Sequence, residues 1–484
     1  MSYATIFAAV GRGLLLLAGA MLVPAAVAIG FEEYRQALTF LVAAALTSFA
    51  GGGLAIATRG NTQEVSKREG FLLVVLFWLL LPFFAALPLY FSSSFSTLTD
   101  AYFEAVSGLT TTGATVISDF NGAARSVLFW RSLVGWIGGL STIVFALALL
   151  SLYRIGGMQL YRSAMPRGER DALLPRLIEG VRSIWMIYAG LTIACAGVLW
   201  ISGLSLFDSF TYAFSTLSTT GFSNSTASVA AFANPTVEIV LIVFMTAAAL
   251  NFTLHWAAAH GSPGAYIRDP EFRLFVTIGL AALVVTYIAA VLPAEHTPWE
   301  VAARQMLFTV VSVMTTTGFV VADSSSWPLF VPAVLLALVL VGGSTGSTAG
   351  GLKMMRLLLF LKQAGRELAG LPHPHGVLRI HYGRRVVPDA AMVAAWSFFF
   401  FFVVALAGVA GVLALTGLGF RTSLTMAAAT LSNAGPVVSI IDPTASGYAA
   451  LNSGAKWVLC IAMVLGRLEL LALLVLIRRS FWQR

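Results

Sequence analysis

The sequence predicts an all-α polytopic membrane protein in which four pseudo-symmetric membrane–pore-loop–membrane units surround a central pore, preceded by a two-helix hairpin. Three observations carry that reading. Of 484 residues, 58% are hydrophobic and 10% charged, whereas a soluble domain has about a quarter of its residues charged. Apolar runs long enough to cross a hydrocarbon core of about 30 Å recur along the whole chain. One short stretch is also written four times. Leu109–Gly113 reads L-T-T-T-G, Leu217–Gly221 L-S-T-T-G, Met314–Gly318 M-T-T-T-G, and Leu431–Gly435 a degenerate L-S-N-A-G.

In chain order, the first apolar run (about 4–29) has Arg12, a leucine-rich centre and Ala26-Val27-Ala28, the marks of a signal peptide. Its near-full-span length and the second run that follows (about 36–58) favour a retained hairpin, residues 1–60. Residues 61–155 form the first unit. A span (about 70–92) leads through Asp100 to a short half-span ending at Gly113, then a polar turn (Ser118, Asp119, Asn121) and a second span (about 127–152). Residues 156–262 repeat the order, with spans at about 181–203 and 235–258 around Gly221. Residues 263–370 do so at about 272–293 and 328–361 around Gly318, and residues 371–484 at about 387–416 and 454–477 around Gly435.

The net charge of +8 looks like a hint of nucleic acid or another anionic partner, but its placement accounts for the excess without any partner. With the N-terminus inside, 22 of the 29 Lys and Arg fall on the cytoplasmic side. These include Arg154, Arg162, Arg167, Arg170, Arg176 and Arg182 in one loop and Lys353 to Arg385 around another. Arg35, Arg125, Arg131, Arg304, Arg421 and Lys456 fall outside, and Arg467 lies within a span. The positive-inside rule therefore expects both termini in the cytoplasm and all four glycine stretches opening outward from a bacterial inner membrane. Cys195 and Cys460 lie in apolar runs as small hydrophobes, and His373 and His375 are the closest histidine pair, in a polar loop without metal-ligand spacing.

The glycines are 108, 97 and 117 residues apart. Thirteen residues before them stand Asp100, Asp208, Gln305 and Thr422; four before, Leu109, Leu217, Met314 and Leu431; three before, Thr110, Ser218, Thr315 and Ser432. About twelve helical residues span about 18 Å, half a membrane. Irregular backbone at that depth survives only against protein or a water-filled path. A ring of backbone carbonyls replaces the hydration shell of a cation such as potassium, and helix C-termini aimed at the axis favour positive charge. The expected ion site is Thr111, Thr112, Gly113, Thr219, Thr220, Gly221, Thr316, Thr317, Gly318, Asn433, Ala434 and Gly435. The four glycines are expected to supply torsions that a side chain forbids, and the neighbouring hydroxyls to act as ligands or as ties to the pore helices.

Two features lie beneath. Residues 328–361 as one helix would run about 50 Å, and its middle, Gly342–Gly351, reads G-G-S-T-G-S-T-A-G-G. The residues alone allow a break lining the ion path or close helix packing through small residues. Arg467 lies eleven residues before Arg478, beyond snorkelling reach, with Glu469 on a different face of the helix. A cation barrier facing the pore and an interhelical ion pair or carbonyl contact are both open to it.

The motifs TTTGAT, STTGFS, TTTGF and SNAGP resemble the four filters of the superfamily of Trk, Ktr and HKT potassium transporters, over essentially the whole chain. The N-terminal hairpin resembles the bacterial TrkH/TrkG branch rather than the shorter KtrB one. The resemblance implies potassium uptake, a homodimer in the lipid bilayer, and a cytosolic nucleotide-binding TrkA-like regulator, with potassium as the transported ion and no other cofactor. It also implies an intracellular gate at Gly343, Ser344, Thr345, Gly346, Ser347, Thr348, Ala349 and Gly350, with Arg467 facing the pore. The fourth filter departs most, at Asn433, Ala434 and Pro436. A membrane-embedded enzyme would need a converging nucleophile or metal set, and the sequence offers none. A proton- or sodium-coupled symporter would enlist intramembrane carboxylates. Glu104, Glu238 and Glu469 are few, which leans towards channel-like conduction.

Overall fold

A computed structural model describes residues 3–59, 66–152, 173–290, 298–372, 378–383 and 385–468. Several residues weighed above lie outside these: Arg154, Arg162, Arg167, Arg170, His373, His375, Arg384, Glu469 and Arg478. Among the described residues, seven helices are long and apolar enough to cross a membrane, and one bent pair makes an eighth candidate. Exposed leucines, valines and phenylalanines line their outer faces, as a lipid solvent permits.

Helices α1 (Tyr3–Gly30) and α2 (Tyr34–Ala57) form a hairpin. They cross at two glycines: a Cβ on Gly11 would lie 2.8 Å from Gly51 O, and one on Gly51 2.9 Å from Gly11 O. Backbones approach that closely only where side chains are absent. The first unit comprises α3 (Lys67–Phe91), the short α4 (Leu98–Leu109) and α5 (Arg125–Leu152). The second comprises α6 (Leu173–Ile201), α7 (Leu206–Leu217) and a broken element, α8 (Pro235–Ala249) with α9 (Phe252–Ala259). After the single-turn α10 (Ala265–Arg268), the third has α11 (Pro270–Ala290), α12 (Trp299–Met314), α13 (Phe330–Val341) and α14 (Met354–Gly370). A two-stranded hairpin, β1 (His381–Tyr382) with β2 (Arg385–Val386), precedes the fourth: α15 (Asp389–Leu415), α16 (Phe420–Leu431), α17 (Val437–Ile441) and α18 (Ser453–Arg467).

The short helices α4, α7, α12 and α16 are the buried centre, and their starts are coded locally. Thr97 and Ser205 cap α4 and α7 by accepting the N–H of Asp100 and Asp208, whose carboxylates accept the same hydroxyls in return. That explains the polar residue thirteen places before the glycine in the first two units: it closes a helix. Thr422 occupies the same turn of α16 and donates to Asp442 Oδ2 (2.7 Å). Gln305 does not, because α12 begins earlier and places it mid-helix.

The expected single span at 235–258 is corrected. The chain turns by 103° between α8 and α9. Leu250 and Asn251 are extended, and Asn251 accepts the Thr253 N–H to start a new helix. The freed carbonyls at the end of α8 find other donors: His255 Nε2 for Ala247, and residues of the 342–353 segment for Ala248 and Ala249. The 328–361 run is likewise two helices, α13 and α14, with non-helical chain between.

Candidate functional site

All four short helices end one residue before the repeated hydroxyl, with Thr110, Ser218, Thr315 and Ser432 as C-caps. Their C-terminal dipole ends therefore meet the glycine stretches in the same register. The next residue in each copy is left-handed: Thr111 (φ 53°), Thr219 (54°), Thr316 (58°) and Asn433 (51°). A β-branched residue seldom adopts this backbone, and among residues with a side chain asparagine tolerates it well. Each such threonine stores about 1–3 kcal/mol of strain.

In the first three copies, two successive N–H groups return to one helix carbonyl. Thr112 and Gly113 donate to Ser107 O (2.7 and 3.3 Å), Thr220 and Gly221 to Ser215 O (2.9 and 3.5 Å), Thr317 and Gly318 to Ser312 O (3.0 and 3.1 Å). A trans peptide sets its C=O opposite its N–H. The carbonyls of Thr111 and Thr112, and of their counterparts, are thereby turned away from their own helices.

The copies close into a ring. A Cβ on Gly113 would run into Thr220 O, one on Gly221 into Thr317 O, and one on Gly435 into the Ala114 backbone. On Gly318 it would lie 3.0 Å from Val437 N. The order is first, second, third, fourth and back to the first. A cavity of about 300 Å³ lies against Gly113, Gly221, Gly318 and Gly435 together.

The hydroxyls act mostly as ties. Thr110 Oγ1 pairs with Thr112 Oγ1 (2.8 Å), Ser218 Oγ with Thr220 Oγ1 (2.6 Å), and Thr315 Oγ1 with Thr317 Oγ1 (3.0 Å). In the fourth copy Ala434 has no hydroxyl to offer Ser432. Asn433 Nδ2 instead donates to Thr112 Oγ1 and Met463 O (both 2.9 Å), binding the fourth copy to the first. Gly435 N–H donates to Thr112 O (2.6 Å) rather than to its own helix. Gly113, Gly221 and Gly318 have φ of 75°, 76° and 82°, but Gly435 is not left-handed. The expected torsional role is corrected there: Gly435 is required by the close approach of Ala114.

Behind the first copy, Glu104 and Arg131 form a buried pair, Nε to Oε1 2.6 Å. Glu104 Oε2 also accepts the Val116 N–H (2.9 Å), and Arg131 donates to Thr115 Oγ1 (3.1 Å) and lies 4.3 Å over the Phe222 ring. These residues were missed as a pair because 27 positions separate them. The serines at 107, 215 and 312, six before each glycine, were also missed, although their recurrence was readable.

Beneath the ring runs the 342–353 segment. Gly350 N–H donates to Thr316 Oγ1 (2.8 Å), Thr348 Oγ1 to Leu217 O and Ala248 O (both 3.0 Å), and a Cβ on Gly350 would strike Ser432 O. The segment therefore touches the second, third and fourth copies. Ser344 N–H donates to Ala249 O (2.9 Å) and Phe252 N–H to Gly346 O (3.2 Å), so the bent α8–α9 corner holds it from the side. Ser347 Oγ folds back on Ser344 O, and Ala349 O accepts Lys353 Nζ. A Cβ on Gly343 would lie 2.6 Å from that of Ala349, so the two ends of the segment pack together. Arg467 donates from Nε to Thr142 Oγ1 and from an Nη to Thr348 O (both 2.7 Å). Its partners are neutral oxygens, one of them in the segment itself.

The TrkH family model, described as a cation transport protein, matches residues 37–484. The chain is 39% identical to the Trk system potassium uptake protein TrkH of Salmonella typhimurium, with 100% of both chains covered. It is 37% identical to the TrkG protein of Escherichia coli, over 96% of this chain and 95% of that one. The crystal structure of the potassium transporter TrkH from Vibrio parahaemolyticus superposes with a TM-score of 0.91 at 36% identity, covering both chains fully. A ring of four helix-ended glycine loops in a polytopic helical chain has these proteins as its relatives, and the chain belongs to the TrkH family of cation transport proteins.

Proposed function

We propose that this protein takes up potassium across the bacterial inner membrane, through a filter formed by residues 111–113, 219–221, 316–318 and 433–435. The observation that carries this reading is the closed ring: four loops bordering one cavity, with helix C-termini behind all four and the carbonyls of the first three turned from their helices. Dipole ends and carbonyl oxygens together stabilise a dehydrated cation. The relatives' designation as potassium uptake proteins supports potassium as that cation. The division into a hairpin, 1–60, and units 61–155, 156–262, 263–370 and 371–484 follows the loops, and the charge distribution supports cytoplasmic termini.

In this reading the segment from Gly343 to Gly350 is the gate, closing the path under the ring, and Arg467 holds it while placing a positive charge there. Conduction is channel-like. Two of the carboxylates a symporter could enlist, Glu104 and Glu238, are bound to Arg131 and Arg304 (2.6 and 2.8 Å). The protein works as a homodimer with a TrkA-like nucleotide-binding regulator on the cytoplasmic face, as its relatives' membership of a Trk system suggests.

Flux in proteoliposomes with K⁺, Rb⁺, Na⁺ and Li⁺ gradients, with and without a membrane potential, tests the function. Permeation by K⁺ and Rb⁺ that follows the potential is expected. Absence of monovalent-cation flux, even after deletion of residues 344–349, would overturn it.

A further inference from the structure

Glu271 is the second residue of α11 and is only 2% exposed. Among the described residues no lysine or arginine is paired with it. Its two oxygens are held by neutral donors from distant parts of the chain. Oε2 accepts the Thr345 N–H (2.8 Å) of the segment beneath the ring, and Oε1 accepts the Tyr382 O–H (2.9 Å) of the β-hairpin. A buried carboxylate without a cation is costly unless such donors are kept. The two contacts therefore stand or fall together.

The hairpin is placed to act as a handle. Its His381 carbonyl accepts Lys362 Nζ from α14, and its flanking Ile380 and Val387 pack with Leu359 of α14 and Ala391 of α15. His381 and Val386 are exposed. Thr345 lies between Ser344 and Gly346, the residues anchored to the α8–α9 corner, whereas Arg467 holds the far half of the segment at Thr348. Glu271 bridges the near half to the hairpin through these two hydrogen bonds.

We propose that Glu271 and Tyr382 are positioning residues for the gate: a latch that ties the near half of the 342–353 segment to the exposed hairpin, so that displacement of the hairpin releases the segment. The proposal rests on reading that segment as the gate. A protein partner that seats on the hairpin would thereby act on the ion path without touching it.

The test uses the full-length protein in proteoliposomes without a regulator, with two readouts: Rb⁺ flux, and the rate at which Thr345→Cys reacts with a maleimide. The native Cys195 and Cys460 are buried and give little background. Tyr382→Phe removes one hydroxyl and is expected to raise both about tenfold, the weight of one hydrogen bond to a charged group. Glu271→Ala should raise both at least as much, and the double variant no further than Glu271→Ala alone. Tyr382→Phe with both readouts unchanged overturns the latch, as does a double variant whose effect is the product of the two singles. Should Glu271→Ala fail to fold, Tyr382→Phe alone decides. Deletion of 344–349 in the same assay separates the two ideas. If deletion raises flux and Tyr382→Phe does not, the gate stands and the latch falls. If deletion leaves flux unchanged, the gate reading falls, and a faster maleimide reaction in Tyr382→Phe would then leave Glu271 as an anchor only.

Discussion

The first three glycine loops and the fourth reach the same place by different routes. Loops one to three fold both amides onto their own helix, pair a hydroxyl three before the glycine with one just before it, and use a left-handed glycine. Loop four sends its glycine amide to Thr112, replaces the hydroxyl pair with the Asn433 amide, and keeps Gly435 out of the left-handed region. Two elements are common to all four, the helix C-cap three before the glycine and the left-handed residue two before it. What repeats is therefore a backbone turn after a helix end, and the side chains vary around it. The fourth loop closes the ring by hydrogen-bonding to the first, so the ring is asymmetric by construction.

The largest expected effect compares the glycines. Gly221→Ala must both adopt a left-handed backbone and displace Thr317 O, and K⁺ flux should fall at least about 100-fold, the cost of an ångström of misplacement at such a site. Gly435→Ala meets the Ala114 backbone without the torsional problem. Its flux should fall about tenfold less, and equal losses in the two variants would erase the distinction.

The next compares what braces the loops. Loop one rests on the buried Glu104–Arg131 pair and loop four on a neutral amide. Arg131→Met leaves the carboxylate buried alone and should cost about 3–5 kcal/mol, read as thermal unfolding in detergent. Asn433→Thr should cost less, about 1–3 kcal/mol, because it places a β-branched residue at φ 51° and drops two hydrogen bonds. Thr219→Asn in loop two relieves the same strain and should leave stability unchanged or raise it. A loss there would mean that the left-handed turn carries no strain.

The smallest effect lies at the outer edge, where loop one's helix meets the fourth unit. Lys456 Nζ reaches Asp100 Oδ1 (2.6 Å). Burial pushes the Asp100 carboxyl up, but Lys456 and Thr97 outweigh it and hold the carboxyl below its ordinary value. The pair's contribution is therefore fully present above the unfolded carboxyl range, near pH 4, and is lost as pH falls through the lower folded value. Asp100→Asn should cost about 1 kcal/mol at pH 7, and the gap to wild type should close below pH 4.

Much of this ring was legible because its requirements are local. A helix end, a left-handed turn and a close backbone approach restrict residue types at fixed offsets, and four copies made the offsets visible. The rest depends on partners far apart in sequence. Asn433 bonds to Thr112 across 321 residues, and Glu271 to Tyr382 across 111. No spacing encodes such pairs. The bend after α8 lies between: its apolar run reads as one span, yet Asn251 two residues before Thr253 is a helix-start signal inside it. Apolar periodicity outweighed a single capping residue. Gly435 is a related case, since a glycine needed for torsion and one needed for space look alike in sequence.

The central claim is that the four loops are one cation site, and the most direct measurement is the position of a heavy potassium analogue. Crystals of transport-competent protein grown with Rb⁺ should show anomalous density on the axis bordered by residues 111–113, 219–221, 316–318 and 433–435. Rb⁺ bound elsewhere in the molecule, with that ring empty in a protein shown to transport it, would contradict the account.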